Sequence, residues 1–332
     1  MNRARENLHS GRPAKSPRWR LLAFLFLVSA PGLPGQSEGS AVGPTISVDV
    51  NLVVLHATVR DRKGGFVSGL RQEDFHVFED GRPQTIRLFQ HEDVPVSVGL
   101  VVDNSASMAG KRKDVTAAAM AFVRSSNPQD EMFVVNFNQR VSLGLPAAEP
   151  FSASAAQLEK ALNGVPAYGT TALYDAVEEG LGHLKKASLE KKVLIVVSDG
   201  GDNASHHTLA QVLADAERSD VIVYTIGLFD EHDADQNPAV LKKIARATGG
   251  ETFLPAESRE VTPICERIAE DIRHQYTIGF EPSNRKLDNT YRTIAVTAAR
   301  PHGGKLLVRT RSGYIAAPER RDQSAGPPGG VP

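Results

Sequence analysis

From Val96 to about Gln275 the chain alternates short apolar runs with stretches whose apolar positions recur at helical spacing. Val96–Val102, Glu131–Phe137, Lys192–Ser198 and Val221–Gly227 are the apolar runs, and they read as strands buried on both faces. Asp114–Arg124, with Val115, Ala118, Phe122 and Val123 turned inward, predicts a helix, as do Ala155–Leu162, Thr208–Ser219 and Pro238–Thr248. Ala172–Ala187 adds another, with Leu173, Val177, Leu181 and Leu184 on one stripe. Gly249-Gly250 closes the helix over Pro238–Thr248. A short strand at Glu251–Leu254 and a helix over Arg259–Gln275, with Pro263 as a later start, complete the series. Arg140–Leu145 is expected to return antiparallel across the Asn138-Gln139 turn. The pattern predicts an α/β fold, a doubly wound, mostly parallel sheet with helices on both faces, over residues 93–275.

The period changes at both ends. Residues 45–92 carry β signals: Ile46–Val59 alternates in part, and Phe75–Glu79 and Gln84–Phe89 flank Asp80-Gly81, a hairpin dipeptide. Residues 276–316 read as three strands, Tyr276–Phe280, Tyr291–Val296 and Leu306–Thr310, separated by Pro, Gly and Asn turns. Neither piece is large enough to bury a sheet alone. The expectation is one small all-β domain made from both flanks, with the α/β domain inserted; two separate β appendages are the alternative. The tail 317–332, polar and rich in Gly and Pro, is expected to be disordered.

Candidate chemistry lies where apolar runs end. Val101-Val102 is followed by Asp103, Ser105 and Ser107, one carboxylate and two neutral oxygens at alternate positions. That donor set suits a hard divalent cation such as Mg²⁺. Thr171 stands at the start of a predicted helix, and Asp199-Gly200 closes the run Val193–Ser198. In a doubly wound sheet the loops after the strands meet at one edge, where ligands bind. Asp103, Ser105, Ser107, Thr171 and Asp199 can therefore reach one ion.

These three segments resemble, piece by piece and in order, the metal-ion-dependent adhesion site of von Willebrand factor type A (VWA) domains. The resemblance implies Mg²⁺, or Mn²⁺ in its place, with Asp103, Ser105, Ser107 and Thr171 near the metal directly or through water and Asp199 holding a coordinated water. Gly169-Thr170 fills the family's usual Gly-Gly slot, which favours Thr171 over Thr170 as the ligand hydroxyl. It also implies a partner: a protein that offers an Asp or Glu carboxylate to the open coordination position. The flanks carry a narrower likeness, to the VWFA-related proteins of Acidobacteria, in Asp49–Val54, Thr58–Gly64, Gly69–Phe75, Val77–Gly81, His274–Pro282 and Arg311–Tyr314.

The front of the chain bears on where this binding takes place. Arg3, Arg5, Arg12, Lys15, Arg18 and Arg20 precede an eight-residue apolar core, Leu21–Val28, followed by Pro31 and small residues. That is the layout of a signal peptide over residues 1–37, with cleavage between Ala30 and Ala41, and it predicts an exported protein, secreted or held in the periplasm or envelope. No later apolar run is long enough to span a membrane. Removing residues 1–37 takes away six basic residues and one acidic one, so the formal net charge falls from −1 to −6. An acidic mature chain argues against a nucleic-acid partner. The single Cys265 cannot form an internal disulfide, and its spacing with Val261, Ile268 and Ile272 predicts burial on a helix face.

Enzyme readings find little support. A haloacid-dehalogenase-type phosphatase needs a second acid two residues after Asp103, where Ser105 stands, and the chain has neither a Gly-x-Ser-x-Gly elbow nor a Walker loop. His206-His207 follows the Asp199 loop and is read as a pair of exposed bystanders. Asp233, Asp235 and Asn237 echo calcium-loop spacing, but Pro238 replaces the turn glycine, so Asp230–Asn237 is read as a solvated acidic loop. Asp175 is expected to brace the loop beside Thr171. The function expected is metal-dependent protein binding without catalysis; an envelope scaffold without ion-mediated binding is the alternative, and a metal-dependent hydrolase is a more distant one.

Overall fold

The computed structural model describes residues 52–91, 93–229, 235–300 and 306–317. The chain separates into two units, Met1–Val48 and Asp49–Pro332, and every described residue belongs to the second. The expected signal segment with its cleavage region, the β signal before Leu52, residues 230–234 of the acidic loop and the tail from Pro318 lie outside the described residues.

Four strands come first: β1 (Val53–Arg60), β2 (Phe75–Glu79), β3 (Arg82–Gln84) and β4 (Ile86–Gln90). The alternating region follows as β5 (Val96–Asp103), α1 (Arg112–Ser125), β6 (Glu131–Phe137), β7 (Val141–Leu143), α2 (Ala155–Leu162) and α3 (Leu173–Leu184). It continues through β8 (Lys191–Ser198), α4 (Leu209–Arg218), β9 (Ile222–Gly227), α5 (Pro238–Thr248), β10 (Thr252–Phe253) and α6 (Val261–Arg273). The last strands are β11 (Tyr276–Phe280), β12 (Tyr291–Ala298), β13 (Leu307–Arg309) and β14 (Gly313–Ile315).

The central sheet runs β10-β9-β8-β5-β6-β7, parallel throughout except for the β6–β7 pair. Its strands are apolar on both sides because both are covered. Val96, Val98, Leu100 and Val102 pack with Val115, Phe122, Leu158 and Ile268 of α1, α2 and α6. Val101 and its same-face neighbours Phe133 and Val196 pack with Val177, Val212 and Leu241 of α3, α4 and α5. Gly99 is needed on that second face, since a Cβ there would lie 2.4 Å from the Phe133 ring and 2.5 Å from Leu194. Strand order reverses at β5, which has β6 on one side and β8 on the other; loops leaving the carboxyl ends of β5 and β8 therefore open a crevice between them.

The flanking strands form two four-stranded sheets, β13-β1-β11-β4 and β14-β12-β2-β3, each drawing strands from both ends of the chain. Leu55, Ala57, Phe75, Val77, Tyr276, Ile278 and Phe280 fill the core between them. Asp80 (φ 47°) and Gly81 (φ 75°) make the tight β2–β3 turn, where two positive φ angles match the twist of the strands.

Three local expectations change. The strand expected over Gln84–Phe89 is split at Thr85: β3 stays beside β2, while β4 crosses to pair with β11. Phe89 draws it there, its ring 5.8 Å from Tyr276 and 5.3 Å from Phe75. The last helix starts as a single 3-10 turn at Ser258–Glu260 and becomes α-helical at Val261, so Pro263 falls in the first turn, where its missing N–H costs nothing. Gly313–Ile315, too short to carry a period, pairs with β12 through the register Arg292 to Tyr314.

Cys265 is buried on α6, and burial pushes its thiol up to about 12. No helix among the described residues is long and apolar enough to cross a membrane.

Candidate metal centre

The site begins where β5 stops. Asp103 is its last residue, and Asp103 Oδ1 accepts the backbone N–H of Ser105 at 2.8 Å, which turns the chain out of the sheet. A single 3-10 turn, Ala106–Met108, follows, anchored by the buried Met108 side chain. This turn brings Ser107 back beside Ser105, with their hydroxyl oxygens 3.1 Å apart. Ser107 Oγ donates to Asp199 Oδ2 at 2.5 Å, although the two residues are ninety-two positions apart.

Asp199 is placed by the end of β8. Its Oδ1 accepts the N–H of Gly201 at 3.0 Å. Gly200 between them has φ +81°, and a Cβ on it would lie 2.4 Å from the Asn237 carbonyl oxygen. The chain can turn this sharply and pass this close to the start of α5 only at a glycine. Ser198, the final residue of β8, donates its hydroxyl to Asp103 Oδ2 at 2.7 Å and accepts the N–H of Gly200 at 3.0 Å.

Thr171 sits on the adjoining loop. Its N–H donates to Asn203 Oδ1 at 2.9 Å, and its carbonyl accepts the N–H groups of Asn203 and Ala204 at 3.0 Å each. The loop is held against the Asp103 turn by Ala106 N–H donating to the Gly169 carbonyl (3.1 Å) and Tyr168 N–H to that of Asn104 (3.0 Å). Thr171 is buried and Thr170 exposed. No hydrogen bond joins the Thr171 hydroxyl to the other four side chains. Asp103, Ser105, Ser107 and Asp199 thus form one connected cluster, and Thr171 lies on the loop docked beside it.

Asp103 and Asp199 are each 3 % exposed, and among the described residues neither is paired with a basic side chain. Burial pushes the Asp103 carboxyl up to about 6, against the hydrogen bonds from Ser198 and Ser105, and the charge of Asp199 adds to the rise. The donors are all oxygen, with up to two negative charges and no basic side chain among the described residues to balance them. Such a set fits a hard divalent cation: the 3.1 Å between the two serine oxygens is close to the edge, about 3.0 Å, of an octahedron with Mg–O bonds of about 2.1 Å.

The sequence model of the von Willebrand factor type A domain matches residues 97–266, just over half of the chain and spanning β5 to α6. The chain belongs to that family. Among solved structures, a von Willebrand factor type A protein from Catenulispora acidiphila is similar at 14 % identity and TM-score 0.49, over 81 % of this chain and 75 % of that one. BatB, a conserved hypothetical protein from Bacteroides thetaiotaomicron, is similar at 15 % identity and TM-score 0.43, over 53 % and 97 %. The vWF domain of the type V pili tip protein Mfa5 from Porphyromonas gingivalis is similar at 14 % identity and TM-score 0.42, over 54 % and 95 %. A search of curated proteins gives no match.

Several residues that build this edge of the VWA domain were not singled out from sequence. Ser198 is one; its only signal is a hydroxyl at the last position of an otherwise apolar strand. Asn104 is another, buried with its amide on the Val102 carbonyl (3.1 Å) and Asn136 Oδ1 (3.1 Å). Gln139 lies over Gly169, where a Cβ would meet Gln139 Oε1 at 1.8 Å. Asp202 and Asn203, by contrast, do stand out in the sequence, as residues of either a second cation site or a solvated loop, and they have structural partners: Asp202 Oδ2 accepts the N–H of Tyr174 at 2.9 Å in the first turn of α3.

Proposed function

We propose that this VWA-domain protein is an exported, non-enzymatic binding module in which one divalent cation, Mg²⁺ or Mn²⁺, links the domain to a carboxylate of a protein partner. Residues 93–275 form the binding domain, and residues 45–92 and 276–316 form the β unit into which it is inserted. The observation that carries this reading is the meeting of two buried, unneutralised carboxylates with two serine hydroxyls at the sheet's carboxyl edge. Asp103, Ser105 and Ser107 would hold the ion, and Thr171 and Asp199 would stand by it directly or through water. A cation bound there supplies an electron-poor open position that an Asp or Glu of the partner fills. The chain's residues do the rest. Ser198 and the Ser105 N–H fix both oxygens of Asp103, while Gly201 N–H fixes Asp199. Burial keeps bulk water away from the carboxylates, which strengthens their hold on a cation.

Calorimetric titration of Mg²⁺ and of Mn²⁺ into the purified protein, with Asp103→Ala as control, tests the reading. One ion per chain, lost in the variant, is the expected result. Absence of binding by a folded wild-type protein would leave an envelope scaffold with a VWA fold as the better description. Export rests on the signal-like residues 1–37, and finding the protein in the cytoplasm would remove it.

A further inference from the structure

Four residues beyond Thr171, the Asp175 carboxylate in the first turn of α3 is occupied by a single dipeptide. Its oxygens accept the backbone N–H of His206 at 3.0 Å and that of His207 at 2.9 Å. They also meet both rings: His206 Nδ1 lies 3.0 Å from Oδ2 and His207 Nδ1 lies 2.7 Å from Oδ1. In this bend two consecutive imidazoles meet one anion. A carboxylate only accepts, so each Nδ1 carries a proton and each neutral ring keeps its lone pair on Nε2.

The rings are not shut away. The His206 side chain is 92 % exposed and that of His207 47 %, whereas Asp175 beneath them is only 17 % exposed. The Asp175 carboxylate is engaged by four N–H groups of these two residues. Glu178, one turn further along α3, has a buried carboxylate oxygen without a hydrogen-bond partner among the described residues.

Histidines that bind metals nearly always donate their other ring N–H to a carboxylate, which fixes the tautomer and raises the basicity of the ligand nitrogen. Asp175 does this for two rings at once. We propose that His206 and His207 form a second metal site, taking one borderline transition-metal ion of the Zn²⁺ class through their Nε2 atoms, with Asp175 as the residue that positions both rings. Imidazole selects such ions, whereas the all-oxygen centre at Asp103 selects hard ones. Among the described residues no three His, Cys, Asp or Glu side chains form a ready cage, so water or a partner's side chain fills the remaining positions. The inference does not depend on the Mg²⁺ reading, because the two sites share no ligand.

The test is calorimetric titration of Zn²⁺ into the untagged protein in millimolar Mg²⁺, paired with long-range proton–nitrogen spectra of the imidazoles. One Zn²⁺ per chain is expected, with affinity at least tenfold weaker in His206→Gln and in His207→Gln and about 10–100-fold weaker in Asp175→Asn. Both exposed-histidine variants should keep the wild-type response to Mg²⁺. The Nε2 resonances of the two rings should move on Zn²⁺ addition while Nδ1 stays protonated. No Zn²⁺ binding by the wild type, or binding unchanged in His207→Gln, would overturn the site; imidazole resonances unmoved by Zn²⁺ would reduce the arrangement to a brace between α3 and the loop.

Discussion

Asp271 and Asp103 are both carboxylates closed off from solvent, and their surroundings are opposite. Asp271, on α6 and 0 % exposed, receives Arg60 of β1 at 3.2 Å, Arg309 of β13, and the Tyr224 hydroxyl at 2.6 Å. Glu251 extends the network to Arg60 at 3.2 Å and to Arg267 at 3.4 Å. Every charge there has a partner supplied by the chain, and the partners come from the VWA domain and from both flanking β segments. Asp103 has hydroxyls, an N–H and a second carboxylate. A buried anion without a cation is costly, and a fold that can arrange two arginines around one carboxylate has no structural need to leave another pair bare. On the proposed function, the difference separates charge that is satisfied on folding from charge left for a bound cation.

The largest way to test this contrast is at the satisfied centre. Asp271→Ala should leave Arg60 and Arg309 to share the single, partly exposed carboxylate of Glu251, and removal of one partner from a buried ion pair costs about 3–5 kcal/mol. Urea unfolding should show a loss of that size, with the β sheets and the VWA domain failing together because both are tied to this residue. A loss below about 1 kcal/mol would mean that the arginines find solvent easily and that the two centres differ less than their burial implies.

The opposite sign is expected at Asp103. In chelator, Asp103→Asn should be more stable than the wild type by about 1–3 kcal/mol near neutral pH, since it removes a carboxyl whose folded pKa is raised from 3.8 to about 6. With Mg²⁺ at about a thousand times its Kd the order should reverse, because only the wild type gains the roughly 4.1 kcal/mol of ligand linkage. The pH dependence follows the same logic. A raised carboxyl pKa means that the folded chain holds a proton the unfolded chain has lost between pH 3.8 and 6. Asp103 therefore makes the metal-free wild type more stable as pH falls through that window, and that gain should be missing in Asp103→Asn.

The contrast also explains what could be read before the structure was seen. Asp103, Ser105, Ser107 and Asp199 follow strands directly in sequence and Thr171 opens a helix, so all five stand out, and the continuous apolar runs and 3.6-residue period of the VWA domain give β5, β6, α2 and α5 almost to the residue. The Asp271 network was invisible because Arg60, Tyr224, Asp271 and Arg309 sit in four separate elements and each looks like an ordinary polar residue on its own element. Asp175 with His206 and His207 was partly legible: the residues were noticed, but their convergence depends on the loop after Asp199 folding back over α3. The split of the β3–β4 strand escaped for the same reason, since Phe89 chooses its sheet through Tyr276, a residue nearly two hundred positions away.

An effect of opposite sign to that of Asp103 is expected in the β sheets. His56, on β1 with Nδ1 3.2 Å from Thr277 Oγ1, is pushed down from 6.5 to about 3 by burial, with the charges of Lys191 and Arg311 adding to the shift. Its folded pKa is depressed, so the unfolded chain binds a proton that the folded chain does not between pH 6.5 and 3. Stability should therefore fall on acidification through that window, approaching at most about 1.4 kcal/mol per pH unit and nearer 1 kcal/mol between pH 6 and 5. His56→Gln should flatten this slope in urea titrations, and an unchanged slope would assign the acid sensitivity to other groups. In metal-free protein the Asp103 and His56 contributions oppose each other, and the two variants separate them.

The smallest effect on stability should come from Thr171, and it bears most directly on which groups belong to the candidate centre. Its backbone is tied on both sides to the Asn203 loop, while its hydroxyl makes no hydrogen bond to the cluster. Thr171→Val keeps shape and backbone contacts, so in chelator the change should stay within about 0.5 kcal/mol. If the hydroxyl stands by the ion directly or through water, the same variant should weaken Mg²⁺ binding several-fold. A residue whose side chain contributes little to folding and much to binding is the mirror image of Asp271. Equal Mg²⁺ affinity in wild type and Thr171→Val would remove Thr171 from the ligand set, and would leave the ion to the four side chains that already touch one another.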